Sequence, residues 1–136
     1  MNNAIISVKD LTKYFPVHGG GFAHAVDGVS FSIAEGETLG LVGESGSGKT
    51  TIGKTMLRMI PKTSGEVFFR GRDLYGMSRR EIRAERPKMQ YIFQDPFSSL
   101  NPRMTVGRAI AEPLLAHGLA DRKNVREKVG RVLEIC

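Results

Sequence analysis

Gly43-Glu44-Ser45-Gly46-Ser47-Gly48-Lys49-Thr50 is the stretch on which the reading of this chain turns. It follows the pattern of Gly, any four residues, Gly, Lys, and Ser or Thr. A polyphosphate carries several negative charges, and a loop that holds it must aim successive backbone N–H groups at its oxygens. Glycines at 43, 46 and 48 allow unusual dihedrals and keep side chains out of the way. A helix starting near Gly48 adds a partial positive charge and free amides. In such a loop Lys49 reaches the β- and γ-phosphates as a point charge, and the Thr50 hydroxyl is placed for Mg²⁺. The plain alternative is a glycine-rich turn entering a helix. Four fixed positions in a strand–loop–helix setting argue against it.

Thr38-Leu39-Gly40-Leu41-Val42, just before the loop, is a compact apolar run bounded by glycines, which predicts a buried strand of a parallel sheet. After the loop, Ile52, Met56, Met59 and Ile60 fall on one face of a helix that Pro61 should close. Upstream, 5–8 and 31–33 read as short strands around a connection holding Gly19, Gly20 and Gly21. Downstream, 67–69 and 89–93 read as two more strands. Between them Ser78 is placed to cap a short charged helix reaching Arg86, with Glu81 at the capping-box position. Residues 95–102 are loop by composition. The run 106–115 reads as helix, with a break or kink expected near Pro113. Asp121 opens a last helix whose apolar face is Val125, Val129, Val132 and Leu133.

With 136 residues, 40% apolar and 25% charged, the chain reads as one globular domain rather than a disordered segment. No apolar run approaches the roughly 20 residues of a membrane-spanning helix, and the first residues lack the features of a signal peptide. A lone cysteine, Cys136, excludes an internal disulfide and suits a reducing compartment, so a cytoplasmic domain is expected. The net charge of +6 lies wholly in the second half, where fourteen bases meet eight acids. Glu81, Glu85, Glu127 and Glu134 interleave with those bases, which favours solvated helix faces over a nucleic-acid surface. Aromatics at 7% show no stacking pattern either.

Tyr91-Ile92-Phe93-Gln94-Asp95-Pro96-Phe97-Ser98-Ser99-Leu100-Asn101-Pro102-Arg103-Met104 makes the reading specific. This segment resembles the Q-loop of ATP-binding-cassette transporter ATPases. Its form is similar to the dipeptide/oligopeptide uptake branch, and within it to the second of the paired ATPase subunits. The runs 25–31 and 36–45 are typical of the same branch, so the resemblance covers the chain from about Ile6 onward. It implies an α/β fold: the P-loop NTPase core of a cassette nucleotide-binding domain, with an N-terminal antiparallel β subdomain and the start of a helical subdomain, truncated. The P-loop would be 43–50, the Q-loop region 91–104 and the helical start 105–136.

The resemblance also implies ATP and Mg²⁺. It gives catalytic roles to Lys49 and Gln94, and nucleotide contacts to Gly43, Glu44, Ser45, Gly46, Ser47, Gly48, Lys49, Thr50 and Thr51. Thr50 and Gln94 would serve the metal. The aromatic that stacks on adenine would be Phe15, with Tyr14 as the alternative. Partners would be transmembrane permease subunits, met through the Q-loop and helical region, and a second ATPase subunit, at the inner face of the cell membrane and without nucleic acid. Residues 104–136 hold nothing like the family's Leu-Ser-Gly-Gly-Gln signature, and no strand follows to carry a Walker B aspartate or its glutamate. His18, His24 and His117 are not placed as the switch histidine. The apolar stripe of the last helix runs to Cys136, so truncation is expected, with poorly covered apolar residues at Leu39, Leu41, Ile92 and Phe93 and a marginal or sticky isolated chain. Two other readings stay open: a nucleotide-binding module without turnover, and a small P-loop metabolite kinase in which the Q-loop segment has no role.

Overall fold

In the computed structural model, which describes residues 4–95 and 100–135, the contacts gather into two compact units, 1–78 and 79–136. The first unit is built on an antiparallel hairpin. Strands β1 (Ala4–Pro16) and β2 (Phe22–Ala34) pair with Val8 opposite Phe31 and Phe15 opposite Ala23. Strand β3 (Ser64–Phe69) adds to the other side of β1, and the two-residue β4 (Arg72–Asp73) closes the order β2-β1-β3-β4. Both hairpin strands run 13 residues, well beyond the short strands at 5–8 and 31–33. The pattern hides them because their register shifts repeatedly. Asp10 is left-handed at φ 45°, with its amide donating to Ser30 Oγ at 2.8 Å, so the period-2 alternation fails there.

Val8, Leu11, Val26, Val67 and Phe69 of the sheet join Ile52, Leu57, Leu74 and Met77 in the buried core. Each such side chain contributes about 1.5–3 kcal/mol on burial. Helix α1 (Lys49–Met56) lays Ile52 and Thr55 against this core. It stops before Pro61, correcting the longer helix expected, and Met59 of the predicted face is exposed. The stop is a Schellman motif: Met59 N–H donates to Lys54 O at 2.8 Å and Arg58 N–H to Thr55 O at 2.9 Å. Arg58 takes the left-handed position (φ 52°) that glycine usually fills. Its guanidinium offsets that cost by donating to Leu74 O and Met77 O, each at 2.8 Å. The Tyr75 hydroxyl lies 2.8 Å from Thr55 O and 3.0 Å from Ile60 O, closing the same helix end.

Neither 38–42 nor 89–93 is a strand among the described residues. A strand exists only with a hydrogen-bonded neighbour, and neither run has ladder pairing among the described residues. The consequence expected from the sequence follows: Leu39, Leu41 and Phe93 are exposed, while Val42 is 99% and Ile92 92% exposed.

The second unit is helical. Helix α2 (Arg79–Glu85) starts directly after Ser78 and runs into a single 3₁₀ turn, Arg86–Lys88. Helix α3 (Val106–Ala116) is capped by Thr105, whose Oγ1 accepts from Arg108 N–H at 3.3 Å. It continues past Pro113, where the sequence suggests a break, because only the one bond to Ala109 O is lost. Helix α4 (Val125–Ile135) packs on α3, with Val129 3.8 Å from where a side chain on Gly107 would begin. Asp121 opens that helix as its cap: its Oδ1 accepts from Asn124 N–H and Asn124 Oδ1 from Asp121 N–H, both at 2.9 Å, and its carbonyl accepts from Val125 N–H at 3.0 Å.

Candidate functional site

The loop 43–48 sits where the hairpin meets α1. Gly48 has φ 90° and ψ 0°, and a Cβ there would stand 2.1 Å from Ala25 O of β2. Only glycine combines that conformation with that approach. Gly46 is also left-handed, at φ 83°, but with open space around it. A turn closes between Ser47 N–H and Glu44 O at 3.2 Å, and Ile52 N–H to Gly48 O at 2.8 Å starts the helical ladder. The Lys49 ammonium folds back over the loop, donating to Gly43 O at 2.7 Å, Glu44 O at 2.6 Å and Ser47 Oγ at 3.3 Å. A cation is thus held above a ring of exposed backbone at a helix N-terminus, the arrangement that attracts a phosphate.

Thr50 and Thr51 occupy the first turn of α1. The Thr50 hydroxyl is exposed and makes no hydrogen bond among the described residues. Phe15 lies at the outer end of β1, opposite Ala23 and two residues along β2 from the Ala25 carbonyl that receives Gly48. Its ring is 39% exposed, with the Lys13 ammonium 4.7 Å from the centroid. Tyr14, the alternative, is engaged elsewhere. It stacks on His24 at 3.8 Å and donates its hydroxyl to Asp27 Oδ1 at 2.6 Å; that bond raises the phenol above its ordinary pKa. Tyr14 is thus engaged by His24 and Asp27, while Phe15 keeps an exposed ring.

Gln94 belongs to the second unit, exposed and without a hydrogen bond among the described residues. Pro96, Phe97, Ser98 and Ser99 of the same segment lie outside the described residues. Among the described residues no three His, Cys, Asp or Glu side chains gather as a metal site, and no helix is long and apolar enough to cross a membrane. Lys13, which the sequence reading does not single out, lies two residues before Phe15 on the same strand.

A hairpin sheet, a glycine loop and a helix carrying its lysine define the front of an ATP-binding cassette. The fold matches a bacterial ABC transporter cassette solved as a dimer, with a TM-score of 0.77 and 27% identity over 90% of this chain and 53% of that one. It also matches CbiO1 of Clostridium perfringens, with a TM-score of 0.71 and 23% identity over 98% of this chain and 50% of that one. The chain belongs to the ABC transporter family, whose sequence model matches residues 26–134. A Brucella ovis protein named for peptide import and ATP binding is 47% identical over 96% of this chain. The oligopeptide transport ATP-binding protein AppF of Bacillus subtilis is 45% identical over 95%. This chain spans 41% of the length of each of those two relatives.

Proposed function

We propose that this chain is the nucleotide-gripping part of an ATPase subunit that energises peptide import through a membrane permease. The observation that carries the reading is the Lys49 ammonium drawn over the loop 43–48 by two carbonyls, with Gly48 seated on Ala25. The β- and γ-phosphates replace those carbonyls as the partners of Lys49, the loop amides and the first turn of α1 hold the remaining oxygens, and Phe15 receives the adenine. Mg²⁺ suits the Thr50 hydroxyl, a hard oxygen without a hydrogen bond among the described residues, and the family resemblance adds the Gln94 amide oxygen as its second donor. When bound, the ion spreads the charge of the phosphates. Gln94 orients water near the last phosphate. Peptide as the cargo follows the names of the Brucella and Bacillus relatives. The permease meets the Q-loop and the helices of 105–135, a second ATPase subunit completes the working pair, and the assembly lies on the inner face of the membrane without nucleic acid.

A second reading is that these residues grip nucleotide without turning it over. The kinase reading leaves Gln94 and its segment without a role. The test is thermal unfolding with and without MgATP, beside Lys49→Ala, paired with phosphate release. Nucleotide at a hundred times its Kd stabilises by about 2.7 kcal/mol. We expect that shift, its loss in Lys49→Ala, and no phosphate release. Equal shifts in both proteins would sink the reading of the loop, and release that depends on Lys49 would sink the second reading.

A further inference from the structure

We propose that Lys13 is a second phosphate-directed ammonium of the nucleotide site, facing the phosphate next to the ribose; this rests on the nucleotide reading of the loop. Lysine is seldom buried, yet Lys13 is 9% exposed. Its ammonium stands 4.7 Å from the Phe15 centroid, and among the described residues no carboxylate or carbonyl accepts from it. Three N–H donors face a ring that can satisfy them only weakly. A cation with its stem packed and its donors unused is poised for an oxygen-rich anion.

The register says which part of the ligand that would be. Lys13 pairs with Val26, whose methyl lies 3.9 Å from a Cβ built on Gly48; Phe15 pairs with Ala23, further out along the hairpin. The phosphate loop, Lys13 and Phe15 therefore follow one another along the hairpin in that order. A nucleotide with its terminal phosphates on the loop and its base on Phe15 passes its first phosphate at the level of Lys13. Phe15 then serves twice, as rest for the base and as holder of the cation.

ADP and ATP share that first phosphate, so Lys13→Met should weaken both equally, by roughly tenfold. Lys13→Arg should restore most of the loss, and the loss should shrink as salt is raised. Lys49→Ala, measured alongside, should cost ATP more than ADP. Because Lys13→Met could repack the sheet, Lys13→Gln is measured as well, each by nucleotide titration after its cooperative unfolding has been recorded. If both neutral variants bind ADP and ATP as the parent does while Lys49→Ala is weakened, the inference falls and the loop reading stands. If the loss in the neutral variants is absent from a Phe15→Leu background, Lys13 acts only through the ring, and a direct phosphate contact is refuted. If Lys49→Ala also binds as the parent does, the loop reading fails and the inference with it.

Discussion

Replacing Gly48 by alanine tests the geometry of the loop without any nucleotide. Two costs add. The left-handed backbone at φ 90° costs a residue with a Cβ about 1–2 kcal/mol. The new methyl would stand 2.1 Å from Ala25 O, whereas real Cβ contacts essentially never fall below 3.0 Å, so strand or loop must give by nearly 1 Å. Overpacking of that kind costs about 1–3 kcal/mol. Gly46→Ala is the matched control, because Gly46 has φ 83° and nothing within 4 Å of its would-be Cβ. Gly48→Ala should therefore lose about 2–5 kcal/mol and Gly46→Ala about 1–2 kcal/mol. With a urea slope of about 1–3 kcal/mol/M, the two midpoints should separate by about 1 M in ligand-free denaturation. Coincident midpoints would mean that Gly48 is not pressed against β2, and the seating of the loop described above would be wrong.

Other outcomes follow from the far end of the same helix. Arg58→Met loses two charged bonds to backbone carbonyls and should destabilise by about 2–4 kcal/mol; Arg58→Gly, freed of left-handed strain, should lose less in the same melt. Thr55 Oγ1 is buried without a hydrogen-bond partner among the described residues, so Thr55→Val should stabilise by about 1–2 kcal/mol and raise the denaturation midpoint. Burial raises the Tyr75 phenol above its ordinary pKa. The folded state thus prefers the protonated hydroxyl: its contribution is complete below pH 10 and is lost as pH rises through the higher folded value. Melting temperature should fall above pH 10 in the parent, and that part of the fall should vanish in Tyr75→Phe.

What the sequence disclosed and what it concealed divide along physical lines. The loop 43–50 was legible because its chemistry is local: glycine, lysine and threonine each answer a need met within eight residues. The end of α1 was not. At α3 the same Schellman bonding uses Gly118 at φ 67°, a residue that announces such an end, whereas at α1 Arg58 holds the position through carbonyls 16 and 19 residues away. The lengths of β1 and β2 were hidden by Asp10 and the shifted register, which depends on Ser30 and Gly65 rather than on neighbours in sequence. The runs 38–42 and 89–93 show the opposite error. Their apolar pattern is that of strands, but pattern alone supplies no neighbour. Within the candidate site, Phe15 came from family resemblance, while Lys13 needed a packed ring and a register that no linear pattern states.

The grip of Lys49 on its own loop makes that loop a competitor for the ligand. An incoming anion must take the ammonium from Gly43 O and Glu44 O, held at 2.7 and 2.6 Å. Chloride offers one spherical contact for two directed bonds and gains little by the exchange. A polyphosphate presents several oxygens to the lysine and to the loop amides at once, so it recovers more of the displaced bonding than a monovalent anion does.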